Sequence, residues 1–219
     1  MPLLVLGLNH RTAPVTVRER FALSEARVPD TLRALRDAGL ASEAVILSTC
    51  NRVELYVVTP AEPARAFADL EAFLVSWVNY PHALEEHAYR IAEPQSIEHL
   101  FRVACGLDSM VLGETEILGQ LKQAYDLALQ HQFTGARLNK AFQKAFNVAK
   151  QVRTQTQIQR GATSVAAVAV ELAEKIFSEL KNRQVMVIGA GDTSEKAARA
   201  LLSRGAHSVI VANRTYDRA

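Results

Sequence analysis

The chain is poor in cysteine. Cys50 and Cys105 are the only two among 219 residues. Two could form one bridge, but nothing else points to secretion, and reduced thiols are expected. With six scattered histidines they show no paired ligand spacing, so no metal site is expected. Long apolar runs are also missing: none approaches the roughly 20 residues of a membrane-spanning helix. The N-terminus, MPLLVLGLNHR, has no basic stretch ahead of its apolar run and does not read as a signal peptide. A cytoplasmic protein without membrane attachment is the default. Proline stops early, all seven lying at or before Pro94. Up to that point the chain reads as mixed strands, turns and helices, and beyond it as mainly helical.

Acidic residues are absent between Asp126 and Glu171, a stretch that carries Arg137, Lys140, Lys144, Lys150, Arg153 and Arg160. A one-signed helical surface attracts phosphate. A solvated helix face is the ordinary reading, and charge alone does not separate the two. The net charge of +2 says nothing about partners by itself.

What is present is a globular balance of 49% hydrophobic and 22% charged residues. Leu3 to Leu8 reads as a first strand ending in a polar loop. Ser24 to Gly39 reads as a helix with Ser24 as N-cap and Gly39 as its stop. Ala44 to Ser48 and Val53 to Val58 read as strands joined by Thr49-Cys50-Asn51-Arg52. Helices are expected over Phe67–Val78, Ser96–Cys105 with Gly106 as its stop, about Gly119–Phe133 and about Arg137–Thr154. The piece Gln155 to Thr163 is the best boundary, dividing the chain into 1–157 and 158–219. Beyond it, Thr163 or Ser164 caps a helix running to about Leu180. Val185 to Ile188 reads as a strand buried on both faces. A glycine-rich turn, an alanine-rich helix ending near Gly205 and a strand over Ser208–Ala212 follow.

Strand, Gly-x-Gly, helix and second strand together form the opening of a dinucleotide-binding unit. Gly189 makes the tight turn and Gly191 lets a pyrophosphate approach the backbone. The helix that starts there offers free N–H groups to the phosphates. Gly189, Ala190, Gly191, Asp192, Thr193 and Ser194 are the cofactor-binding candidates. Ser194 stands where Gly or Ala is usual, which should hold the helix slightly further out and offers a hydroxyl to phosphate. At the end of the second strand stand Asn213 and Arg214 in place of an acidic residue. A carboxylate would repel a 2′-phosphate, whereas Arg214 would pair with one, so NADPH is expected over NADH.

Cys50 lies at a strand end beside Arg52, whose guanidinium would favour the thiolate. The ordinary reading of a cysteine is a buried inert thiol, and that reading is kept for Cys105.

The wording around Cys50 adds more. Ser48-Thr49-Cys50-Asn51-Arg52-Val53-Glu54 closely resembles the nucleophile motif of glutamyl-tRNA reductases. Gly7-Leu8-Asn9-His10-Arg11-Thr12-Ala13-Pro14 resembles that family's N-terminal signature. His99 to Val103, Gly106 to Glu114 and Ile117 to Gln120 resemble its internal motifs, and Gly189 to Ser194 its NADPH loop. The resemblance runs from Leu6 to the last residues. It implies an α/β protein: an N-terminal α+β catalytic domain with a ferredoxin-like sheet plus helices, then the start of a Rossmann-type NADP-binding domain. It also implies reduction of glutamyl-tRNA to glutamate-1-semialdehyde through a thioester on Cys50, the first step of tetrapyrrole synthesis from glutamate. By the same resemblance His99 assists proton transfer. Thr49, Asn51, Arg52, Ser109, Glu114, Thr115, Glu116 and Gln120 line the substrate site, with Arg52 the candidate clamp for the glutamate carboxylate and Glu114 suited to its ammonium. Family members run on into a long helix and a dimerisation domain. The chain is therefore expected to stop within the nucleotide domain. An aminomutase partner and a homodimeric full-length form are implied by the family alone. The alternative is a tRNA-binding fragment with only esterase activity.

Overall fold

The structure, a computed structural model, describes residues 1–158 and 164–215 apart from the side chain of Asp192. Arg160 and Thr163, singled out above, lie outside these residues. Two compact units result: Met1–Met110 with Glu116–Gln155, and Val111–Thr115 with Thr156–Ala219. The second unit thus takes in a five-residue piece that the division at residue 157 places in the first domain.

The first unit is built on four strands, β1 (Leu3–Asn9), β2 (Glu43–Ser48), β3 (Arg52–Val58) and β4 (Tyr89–Ala92). Their spatial order is β2-β3-β1-β4, and each neighbouring pair is antiparallel. Helix α2 (Val28–Asp37) joins β1 to β2, and α3 (Pro63–Trp77) joins β3 to β4. This β-α-β-β-α-β plan is the ferredoxin-like one. A short helix, α1 (Val15–Phe21), precedes α2. Three more helices follow the sheet: α4 (Gln95–Ala104), α5 (Glu116–Gln130) and α6 (Ala136–Gln155). Every residue of β1 and β3 is buried, so both faces of the central strands are covered. Residues alternate between those faces. His99 of α4 and Phe142 of α6 meet the face that carries Glu54 and Tyr56. Leu4, Leu6, Leu8, Val53, Leu55 and Val57 point to the other.

Helix ends follow local chemistry. Gly39 and Gly106 both adopt positive φ, at 69° and 73°. There the chain folds back, Leu40 N–H to Leu35 O and Leu107 N–H to Arg102 O. These closures suit glycine and end α2 and α4 where expected. Ser24 does not cap α2. It makes no cap hydrogen bond, and a 3₁₀ turn over Glu25–Arg27 leads into the helix at Val28, with Pro29 in its first turn. Helix α3 starts four residues earlier than the apolar pattern suggests, because the Glu62 carboxylate accepts from the N–H groups of Ala64 and Arg65.

The second unit contains α7 (Val165–Phe177), β5 (Gln184–Ile188), α8 (Asp192–Ser203) and β6 (Ser208–Ala212), with β5 and β6 parallel. The Ser164 hydroxyl caps α7 by accepting from Ala167 N–H at 3.1 Å. The expectation that Val185–Ile188 is buried on both faces is not met. Met186 is 62% and Ile188 82% exposed, because the unit's small core of Val170, Leu180, Leu201 and Ala206 packs on one side of the strand only.

Among the described residues no helix is long and apolar enough to cross a membrane, and no group of three or more His, Cys, Asp or Glu is placed to hold a metal ion.

Candidate active site

The β2–β3 connection holds Cys50 at its tip. Thr49 N–H donates to Arg52 O at 2.8 Å. The Thr49 hydroxyl accepts from the N–H groups of Asn51 at 3.2 Å and Arg52 at 3.1 Å. Asn51 O accepts from His10 N–H at 2.9 Å, tying the turn to the end of β1. Arg18 of α1 donates through Nη1 to Ala13 O at 2.7 Å and reaches Cys50 O with Nε at 3.4 Å. The backbone on both sides of Cys50 is thereby pinned, while the residue itself is exposed. Cys105 is buried at the end of α4, where burial raises its thiol pKa against the opposing pull of Arg153. Both thiols are free. Of the two thiols, only that of Cys50 is exposed to solvent.

Behind the turn, β3 carries Arg52, Glu54 and Tyr56 on one face, at every second residue. Arg52 is 2% exposed and Glu54 0%. Arg52 Nη1 donates to Glu54 Oε1 at 2.6 Å. Its Nη2 donates to the Asp108 carbonyl at 2.6 Å and to Asp108 Oδ2 at 3.0 Å. Asp108 also accepts from Arg11 Nη1 at 2.9 Å. Glu54 takes further hydrogen bonds from Tyr56 OH at 2.5 Å, from Tyr89 OH, and from His99 Nε2 at 2.9 Å.

The charge states follow. Burial alone would raise the Glu54 pKa, but the Arg52 charge and the bonds from His99 and Tyr56 overcome it and hold the carboxyl far below the usual range. Tyr56 and Tyr89 are pushed far up by burial and by Glu54, so both remain O–H donors. An ionised Glu54 at Nε2 places the proton of a neutral His99 on that nitrogen and leaves Nδ1 as the acceptor.

The strand register explains how Tyr89 reaches Glu54. Gly7 stands opposite Glu54 on one side and opposite Tyr89 on the other. The tyrosine crosses β1 at the one residue without a side chain. A Cβ at Gly7 would lie 2.7 Å from the Tyr89 hydroxyl.

The other candidates are distributed as follows. Ser109 lies in the segment after α4, Glu116 opens α5, and Gln120 sits one turn on in the same helix. Gln120 lines a cavity of about 120 Å³ with Ser48, Leu47 and Leu23. It therefore lies beside the strand that leads into the Cys50 turn. Glu114 and Thr115 belong to the second unit. Arg52 is engaged by Glu54 and Asp108, so its clamping of a substrate carboxylate would have to share or displace those partners. Glu54, Tyr56, Tyr89, Asp108 and Arg18 were not picked out as site residues from sequence. The signal that could have found two of them, Glu54 and Tyr56, is the polar row Arg52-x-Glu54-x-Tyr56 inside an otherwise apolar strand.

In the second unit Gly189 has φ +103°, a conformation that suits glycine, and a Cβ at Gly191 would meet nothing within 4 Å. The N-cap position of α8 is Gly191, which brings no side chain of its own to the first N–H groups, as an anion site at a helix start requires. A cavity of about 400 Å³ lies against Gly189, Ala190 and Ser194. Thr193 and Arg214 are exposed. The Asn213 amide donates to Thr215 O at 2.8 Å. These residues fit a dinucleotide phosphate.

The sequence model described as "Glutamyl-tRNAGlu reductase, N-terminal domain" matches residues 6–156. The chain belongs to the glutamyl-tRNA reductase family. Residues 171–219 match a second family model, "Shikimate / quinate 5-dehydrogenase". Among curated relatives named glutamyl-tRNA reductase, that of Geobacter sulfurreducens is 48% identical over 220 residues, covering 100% of this chain and 50% of its own. That of Akkermansia muciniphila is 46% identical, with 100% and 64% covered. The structure titled "Glutamyl-tRNA Reductase from Methanopyrus kandleri" matches with a TM-score of 0.64 and 35% identity, over 99% of this chain and 50% of that one. The chain thus spans about half the length of most of the curated relatives it matches.

Proposed function

We propose that the chain carries the acyl-accepting part of an enzyme that reduces glutamyl-tRNA to glutamate-1-semialdehyde with NADPH, opening tetrapyrrole synthesis from glutamate. The observation that carries this reading is the exposed Cys50 thiol on a pinned turn, backed by the buried Arg52–Glu54 pair and the partly buried His99 bonded to it. An aminoacyl ester is already activated, so thiolate attack faces a modest barrier. Cys50 Sγ attacks the ester carbonyl carbon, the bond to the ribose oxygen breaks, and glutamate stays on the protein as a thioester. His99, with Nε2 held by Glu54, offers Nδ1 to take the thiol proton and return it to the departing ribose oxygen. Thr49 and Asn51 shape the turn, and Gln120, Ser109 and Glu116 supply polar groups toward the glutamate.

NADPH would be held by the Gly189–Ser194 turn and the open end of α8, with Arg214 placed for its 2′-phosphate. When bound it supplies the hydride that, with a proton, turns the thioester into aldehyde and free thiol. An aldehyde of this reactivity calls for a consuming enzyme, which the family resemblance makes an aminomutase.

The test is mass spectrometry of chain quenched during incubation with glutamyl-tRNA. Glutamyl mass is expected on Cys50 and lost in Cys50→Ser; an unlabelled Cys50 refutes the mechanism. A His99→Asn variant should acylate more slowly while keeping its fold. A second reading is a tRNA-binding fragment with only esterase activity, in which water resolves the thioester. Aldehyde formed only with NADPH supports reduction, whereas glutamate formed regardless of NADPH supports hydrolysis.

A further inference from the structure

We propose that the outward face of α6, with the groove it forms against α4, is a docking surface for the phosphodiester backbone of RNA; this rests on the reading that the glutamyl ester arrives on a tRNA. Helix α6 has 20 residues and is therefore about 30 Å long. Its inward side is Leu138, Phe142, Ala145 and Ala149, all buried. On the opposite side Arg137, Lys140 and Lys144 are exposed, accompanied by the amides of Gln143, Asn147 and Gln151. Two concavities run along this side, of about 370 and 190 Å³, and Lys140 and Lys144 line both.

Some exposed arginines are neutralised by a neighbour: Arg33 by Asp30, Arg65 by Asp69, Arg199 by Glu195 and Arg204 by Glu174. Lys140 and Lys144 make no ion pair among the described residues. The one carboxylate in the α4–α6 groove, Glu93, is taken up by Leu3 N–H at 2.9 Å and Arg137 Nη2 at 2.5 Å. That backbone bond, with Arg137, also lowers its pKa.

A row of unpaired lysines with amides between them suits a polyanion of regular spacing. Lysines four residues apart are separated by about 6 Å along the helix, close to the step between successive phosphates on a strand. The amides can reach phosphate oxygens or ribose 2′-hydroxyls, the groups by which RNA backbones are held. Apolar Ile97 and Phe101 line the groove beside them. The basic stretch noted in the sequence thus becomes a localised face.

The test is binding of an unacylated glutamate-tRNA transcript to the full chain at several salt concentrations. The charge-reversed pair Lys140→Glu/Lys144→Glu should bind on the order of tenfold more weakly at low salt. Its plot of log affinity against log salt should flatten by about two units. The control pair Arg33→Glu/Arg65→Glu carries the same change in net charge and should bind as the unaltered chain does. Equal binding by the α6 pair, or an equal loss in the control pair, overturns the proposal. Competition by polyglutamate at tRNA-like potency also overturns it, in favour of an acidic protein partner. Circular dichroism guards against loss of fold, and the milder Lys140→Gln/Lys144→Gln pair should show a smaller loss of the same kind. Acylation of Cys50 in the unaltered chain by a small glutamyl thioester, which contains no RNA, decides the thioester reading separately.

Discussion

Arg52 and Asp108, far apart in sequence, close the cluster behind the Cys50 turn: Nη2 of the arginine donates to both the carbonyl and the carboxylate of the aspartate. This joins β3 to the segment following α4. The guanidinium is nearly without solvent, so its two carboxylate partners neutralise it in place of water. Removing one leaves a buried charge partly uncompensated, which costs about 3–5 kcal/mol. Glu54→Gln should therefore destabilise the chain by about that amount in urea unfolding. Asp108→Asn should cost less, because the Asp108 carbonyl remains and its side chain is partly reached by water. Equal and small losses for both would contradict this ranking.

Gly7 gives a second prediction. A Cβ at this position meets the Tyr89 ring at 2.7 Å, and that ring cannot swing away without leaving Glu54. Gly7→Ala should cost about 1–3 kcal/mol, the range for forcing extra volume into a packed site. In a Tyr89→Ala background the added methyl should cost much less. A double-mutant cycle without coupling would show that the tyrosine is not what Gly7 accommodates.

The sequence made some of this visible and hid the rest for definable reasons. Strands β1, β2 and β3 are runs of apolar residues bounded by polar turns, and Gly39 and Gly106 mark helix ends through a backbone conformation that suits glycine. Strand β4 was missed because Tyr89-Arg90-Ile91-Ala92 is only four residues long and partly exposed, and it exists by pairing with β1. Helix α1 was missed because it has seven residues with only Val17 and Phe21 buried. Cys50 and His99 were legible through their motifs. The partners of Arg52 were not, since Asp108 and Tyr89 reach the cluster only through tertiary packing. The apolar run of β5 suggested burial on both faces, but a hydrophobic stretch records what a strand can bury, not what packs on it.

Acid should weaken the fold through His10. Burial lowers its pKa from the ordinary 6.5, and the charges of Arg11 and Arg52 lower it further, with Asp108 opposing. Its Nδ1 is buried without a hydrogen-bond partner among the described residues. A base with a depressed folded-state pKa binds its proton more readily when unfolded. Its contribution is thus intact above 6.5 and drains as pH falls below that value. Glu54 acts in the same direction at lower pH, starting in the ordinary carboxylate range near 4.5. Unfolding free energies between pH 8 and about 5 should fall more steeply for the unaltered chain than for His10→Leu. Parallel curves would remove His10 from this account.

The hydroxyl of Thr49 supports the thiol without touching it. It accepts two backbone N–H groups, from Asn51 and Arg52, at the point where the chain reverses around Cys50. Thr49→Val keeps the shape and loses both bonds, which costs about 1–2 kcal/mol for donors that water reaches only in part. Because these bonds set the backbone on both sides of Cys50, the larger effect should fall on its proposed acylation, with the rate dropping by at least tenfold while thermal unfolding shifts by a few degrees. Thr49→Ser retains the oxygen and should recover most of the rate. If valine and serine variants acylate alike, the turn does not depend on that oxygen, and Cys50 is positioned by its β2 and β3 anchors alone.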